Sequence, residues 1–256
     1  MKRLALLGVL FTTTASAASG YNFFTNAAHA LHVPAHTLAL IVGGLLLLGL
    51  GMVYRAQVAG AKNAIIPDNG ISARNMLESL CQFIYSTSNT VMGEENTKKY
   101  LSYIIYVFFF ILINNLMGII PGFISANSNL NTTLALGIFT FLYFNFVGIR
   151  SVGVINYFKH FAGPLPALAL LIFPIEIISL TVRPLSLALR LRGNMEGDHL
   201  ILGIFSELVP YIVPIPFYAM GIFVSFLQAF VFTLLTMIYI GMAVTSHDHG
   251  HDDHHH

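Results

Sequence analysis

Glu176, Arg183 and Arg190 recur at intervals of seven in a stretch that is otherwise mostly apolar. Seven residues are close to two helical turns, so on a helix the three share one face, about 10 Å apart along the axis. Ser179 and Ser186 follow Glu176 and Arg183 by three residues and fall near the same side. A second polar group comes after Arg190: Asn194, Glu196, Asp198 and His199, then Glu207, with Ser225 and Gln228 further on. Carboxylates, an imidazole and amides gathered in apolar surroundings can carry a hydrated proton path. Histidine has an unperturbed pKa of about 6.5, and desolvation brings carboxylates into the same range. Arginine cannot be a step in such a relay, because its guanidinium stays protonated. It can repel an approaching proton and favour the ionised form of a partner's carboxylate. Together these groups suggest two proton paths kept apart by a fixed cation.

Plainer roles are open to several of them. Glu176 with Arg183 could be a structural ion pair. Arg183 and Arg192 could snorkel or position the helix, His199 could be an ordinary buried histidine, and Gln228 could bond a neighbouring helix. Snorkelling fits Arg190 less well, since it stands within the stripe and just before the polar group. Pro184, inside the stripe, suggests a bend or a freed carbonyl.

The elements that must position these residues follow from composition. Of 256 residues, 56% are apolar and 9% charged, against about 25% charged in an ordinary soluble domain. That excludes a typical soluble enzyme, and disorder as well. A net charge of +1 leaves no broad basic face for nucleic acid, and one cysteine, Cys81, excludes an internal disulfide. Residues 1–17 have a basic start, a short apolar run and an Ala-Ser-Ala site, the outline of a secretory signal peptide. Residues 18–256 read as a single membrane domain. Its apolar spans are expected at about 37–54, 100–120, 132–149, 164–195 and 199–244. Pro210, Pro214 and Pro216 break the last region, so a short or kinked entry segment should precede a long helix from about Phe217.

Basic residues orient the spans. Arg55, Lys62, Arg74, Lys98 and Lys99 fall in one connection, and Arg150 and Lys159 in another. Residues 18–36 and 121–131 carry neither Lys nor Arg. The positive-inside rule then puts the mature N-terminus outside and the C-terminus in the cytoplasm. Residues 71–92 place Met76, Leu77, Leu80, Phe83 and Ile84 at helical spacing, as an amphipathic helix on the cytoplasmic surface would, though an ordinary loop helix would read the same way. The tail at 245–256 is rich in His and Asp from His247 onward; it reads as a solvated end, with metal binding as the rival.

The run from Arg183 through Pro184, Leu185, Ser186, Leu187, Ala188, Leu189, Arg190, Leu191, Arg192, Gly193 and Asn194 to Met195 resembles the signature of F-type ATP synthase subunit a. The likeness continues at 227–235, around Gln228, and at 114–122, which begins with Asn114 and Asn115. It covers about 100–244 together with the five-span plan. The resemblance implies an all-α polytopic membrane protein with two long tilted C-terminal helices. It implies a stationary proton-channel subunit in a bacterial inner membrane, with two offset half-channels beside a rotating ring of c subunits and with peripheral stalk b subunits as further partners. Such a subunit is not catalytic alone and calls for no cofactor.

Site residues follow by position. Arg190 falls on the essential arginine, with Asn194 and Gln228 close to it. Glu176, Ser179 and Ser186 fall on the cytoplasmic side of the path, and His199 on the outer side. Seven residues before Gln228 the family usually has an ionisable partner, where this chain has Gly221. Glu196, Asp198 and Glu207 are candidates to replace it. Arg192 stands where many members have an apolar or small residue. The rival readings are a secondary ion or metal transporter, which would call for repeated halves that the sequence does not show, and an intramembrane hydrolase, for which no nucleophile–base spacing is present. No phosphate-binding GxxxxGK[ST] loop occurs.

Overall fold

The computed structural model describes residues 27–28, 32–60, 72–120, 123–153, 166–208 and 214–245. These residues form six helices: α1 (Ala35–Gly60), α2 (Ala73–Met92), α3 (Glu94–Ile119), α4 (Leu130–Val152), α5 (Pro166–Leu208) and α6 (Pro214–Thr245). A single 3-10 turn, Ala126–Ser128, lies between α3 and α4. The protein is all-α. Four helices, α1, α3, α4 and α6, are long and apolar enough to cross a membrane. The signal-peptide segment 1–17 and the tail beyond 245 lie outside the described residues.

Local sequence sets the ends of the helices. α2 stops at Gly93, whose φ of 78° suits glycine, and α3 starts directly after it. The Asn129 side chain caps α4 by accepting a hydrogen bond from the Asn131 N–H at 2.9 Å. α4 stops at Gly153, where φ is 84°. The expected amphipathic segment is α2. It turns Ile84, Ser88 and Met92 inward and leaves Met76 and Phe83 exposed. Arg74 is fully buried at its start and pairs with Glu78 one turn on, Nε to Oε1 at 2.7 Å.

α3 lies at the centre. It packs along α6, with α1 and α2 also against it, while α4 packs on α5 and α6 and meets α3 through Tyr103, which stacks on Tyr143. The core gathers Ile104, Phe108 and Ile111 of α3, Leu187 and Leu191 of α5, and Ala229, Phe232, Met237 and Ile240 of α6. Of the four candidate spans α1 is the least enclosed: Ile41, Leu45, Leu48 and Met52 face outward, as lipid-facing residues can.

The division of the C-terminal half differs from the expected one. The expected break near 195–199 is absent, and α5 continues unbroken to Leu208, 43 residues in all. Glycine and charge lower helix propensity without ending a helix, so Gly193, Gly197 and Gly203 are carried within it. α6 then begins at Pro214 rather than near Phe217, because proline is well placed in the first turn of a helix. At about 1.5 Å per residue α5 is roughly 65 Å long, twice a hydrocarbon core of about 30 Å. It must therefore tilt steeply or run well beyond the apolar layer. Pro184 does not interrupt it.

Candidate functional site

The site is built where α5 crosses α6. Leu187, Ala188, Leu191 and Met195 form the buried side of α5 there, and Ser225, Gln228, Ala229 and Phe232 that of α6. The apolar spacing thus fixes which way the polar residues between them point. Arg190, one residue from buried Leu191, is exposed. Asn194, one turn on, faces α6, where its Nδ2 donates to Gln228 Oε1 at 2.7 Å. Gln228 is 3% exposed, so this bond is shielded from water. The amide bridge ties the two long helices one turn from the free guanidinium, and among the described residues Arg190 forms no ion pair.

The structure sorts the remaining expected residues into groups. Asp198 lines a cavity of about 50 Å³ together with Met195 and Ile201 of α5, Gly118 and Ile119 of α3, and Phe217, Tyr218 and Gly221 of α6. On that measure a water needs about 10–15 Å³, so a few waters fit beside the carboxylate. Gly221, the position lacking the expected ionisable group, is therefore in the same cavity as Asp198. A Cβ at Gly221 would meet only Ile119, at 3.8 Å, so a side chain has room to start there. Glu196 does not line this cavity; it accepts two hydrogen bonds from Arg192, at 3.1 and 3.2 Å. Ser179 is half-buried and Ser186 exposed. Glu176, His199 and Glu207 belong to α5, but their side chains lie outside the described residues. Arg183 stacks its guanidinium over the Tyr239 ring of α6, 5.1 Å from the centroid, which makes it a link between the two helices.

Sequence reasoning missed a buried polar network next to this seam. Asn127 of the 3-10 turn donates through Nδ2 to Asn115 Oδ1 at 2.7 Å, and Asn115 Nδ2 donates to the Ser225 carbonyl at 3.4 Å. Ser125 Oγ donates to the Asn114 carbonyl at 2.9 Å and accepts from the Asn127 N–H at 3.1 Å. All five residues are fully buried. The available signal was the adjacent amides Asn114 and Asn115 inside an apolar span, a costly placement unless partners exist. Among the described residues no group of three His, Cys, Asp or Glu side chains is placed to hold a metal.

The family described as ATP synthase A chain matches residues 36–241. The chain is 46% identical over 218 residues to the ATP synthase subunit a of Bdellovibrio bacteriovorus, covering 85% of this chain and 94% of that protein. It is 42% identical over 213 residues to the protein of the same name from Nitratiruptor sp., covering 83% and 92%. It is 41% identical over 207 residues to that from Campylobacter fetus, covering 80% and 90%.

Proposed function

The chain belongs to the ATP synthase A chain family, and on that premise we propose that it is the stationary half of a proton-driven rotary motor. In this reading two half-paths open to opposite sides of a bacterial inner membrane, with the C-terminus in the cytoplasm. A ring of small carboxylate-bearing c subunits turns against the exposed face of α5, and b subunits hold the chain still. A proton enters from outside past Asp198, His199 and Glu207 and neutralises a ring carboxylate. The neutral carboxyl can enter lipid, because the cost of burying a charge is gone. After nearly a full turn it meets the inner path near Glu176, Ser179 and Ser186 and releases its proton. Arg190 favours that ionisation and bars a direct shunt between the paths. Each charge crossing gains about 2.3 kcal/mol per 100 mV, so several protons are needed per ATP.

The observation that carries the reading is the pairing of an exposed Arg190 with the buried Asn194–Gln228 bridge one turn away. The bridge fixes the backbone of both long helices at the level of the cation and leaves the guanidinium itself free for a partner. The cavity at Gly221 supports Asp198 as the group that stands in for the ionisable side chain expected there. Glu196, engaged by Arg192, has no part in this path. The test is Arg190→Ala in the intact complex. Proton-driven ATP synthesis should be lost while the ring and stalk still co-purify with the chain. Coupled synthesis at the normal rate would overturn the assignment.

A further inference from the structure

Arg192 and Glu196 are charges near the site that the mechanism above does not use, and Arg192 is the one closest in sequence to Arg190. It lies two residues from Arg190, about 3 Å along the helix axis, yet about 200° around it. Two cations so close in depth on one apolar helix pose a problem for a device that needs a single one. The two stand at opposite margins of the outward arc of α5, with Leu185, Ser186 and Leu189 exposed between them, so carboxylates of a partner that cross this arc would be held by a second free guanidinium as well as by Arg190. The structure shows how the second one is occupied. Arg192 Nε donates to Glu196 Oε2 at 3.1 Å and Arg192 Nη2 donates to Glu196 Oε1 at 3.2 Å. The arrangement is bidentate, the geometry in which a guanidinium and a carboxylate satisfy each other best. The spacing of four residues lets one helix supply both groups without help from a neighbour.

The surroundings say why the neutralisation matters. Leu185, Leu189 and Leu200 on the same side of α5 are exposed, as are Ile178 and Val182. The pair therefore stands on an apolar outward face, where an isolated charge is costly and a matched pair less so. Asn194, between the two, points elsewhere, to Gln228. Asp198, two residues beyond Glu196, lines the cavity with Gly221. Neighbouring carboxylates on one stretch of helix thus have two environments, one clamped by a cation and one beside a small cavity.

We infer that Glu196 is a charge mask: it neutralises Arg192 so that Arg190 is the single guanidinium presented to the carboxylates of the ring. This rests on the rotary reading, and it assigns Glu196 a positioning role instead of a proton-carrying one. Without the mask, Arg192 would favour the ionised form of a passing ring carboxylate, lower its pKa and slow its release.

The test uses the assembled ATP synthase in vesicles, with the outer pH varied and the inner pH held. In E196Q, which unmasks the cation, proton-driven synthesis should fall about fivefold or more. Its dependence on outer pH should also move down by about half a unit or more, since a carboxylate near an extra cation takes up a proton only at lower pH. A folding defect would reduce the amount of complex without moving that midpoint. Removing both charges, R192L with E196L, should return the rate to within about threefold of the parent and restore the midpoint, as expected when both partners of a pair are replaced by apolar groups. If E196Q fails to assemble, E196D, too short to keep both hydrogen bonds, should show the same shift in smaller degree. A normal rate and midpoint in E196Q would overturn the mask. So would an E196L/R192L complex as slow as E196Q, because Glu196 would then be needed for itself. Arg190→Ala in the same vesicles separates the two levels: retained synthesis there removes the rotary reading, whereas its loss beside an unaffected E196Q removes only the mask.

Discussion

Replacing Asn194 should cost more than replacing Gln228, although the two share one hydrogen bond. The reason is the difference in burial between the partners. Gln228 is 3% exposed and its Nε2 has no hydrogen-bond partner among the described residues. In Asn194→Ala its Oε1 loses its partner too, leaving a whole amide unsatisfied. Such a group costs about 1–3 kcal/mol in water-soluble proteins. Within membranes measured hydrogen bonds average about 0.6 and reach about 1.7 kcal/mol, because the unfolded reference also finds partners. The expected loss for Asn194→Ala is therefore about 1–2 kcal/mol. Gln228→Met keeps the volume, removes the amide with the unpartnered Nε2, and leaves Asn194 half-buried and able to reach water. Its cost should stay below about 1 kcal/mol. Unfolding the chain in mixed micelles with increasing SDS, for both single variants and the double, gives the coupling energy directly. A coupling of about 0.6–1.7 kcal/mol is expected. The reasoning is refuted if Gln228→Met costs as much as Asn194→Ala, or if the two effects simply add.

Three further outcomes are expected. A Cβ at Gly43 would lie 2.5 Å from Asn114 Oδ1 and 3.0 Å from its Cγ, so Gly43→Ala must displace a buried side chain that bonds the Phe110 carbonyl; a loss of about 1–3 kcal/mol should appear as a lower melting temperature of the complex, and an unchanged one would contradict the close packing of α1 on α3. Burial, and then the Glu78 carboxylate, push the Cys81 thiol above its ordinary range; a raised pKa means less thiolate at neutral pH, so maleimide labelling should be slow at pH 7, speed up toward pH 9 and quicken in Glu78→Gln. Asp198→Asn should slow proton uptake from the outer side about a hundredfold, the lower end of what a lost acid–base group costs, and adding Gly221→Glu should recover part of it, because that position opens on the same cavity; a double variant no faster than the single would remove the cavity from the outer path.

The helices were legible in the sequence because their signal is local. Apolar runs long enough for a bilayer marked α1, α3, α4 and α6, and the spacing of Leu77, Leu80 and Ile84 marked α2. The boundary between α5 and α6 was not legible, because the polar residues 194–199 resemble a connection, whereas nothing there breaks a helix before Pro210. At the site, Arg190, Asn194 and Gln228 stood out as polar residues that an apolar segment has to justify. The contact of Asn115 with the Ser225 carbonyl spans 110 residues, and helical periodicity carries no information about such pairings. Arg192 and Glu196 are a different case. Their spacing of four is visible in the sequence, yet Glu196 stands among other carboxylates and Arg192 among basic residues of the same helix, so spacing alone does not join them. Geometry joins them.

The central claim is that a fixed cation keeps two proton paths from meeting, and proton conductance with the ring immobilised tests it most directly. The ring would be cross-linked to the stationary part in vesicles, and proton flux measured under an applied potential. With Arg190 present, locking the ring should stop the flux. In Arg190→Ala, flux should persist through the locked complex, because nothing then separates the outer path from the inner one. Flux through the locked parent complex, or none through the locked variant, would contradict the account.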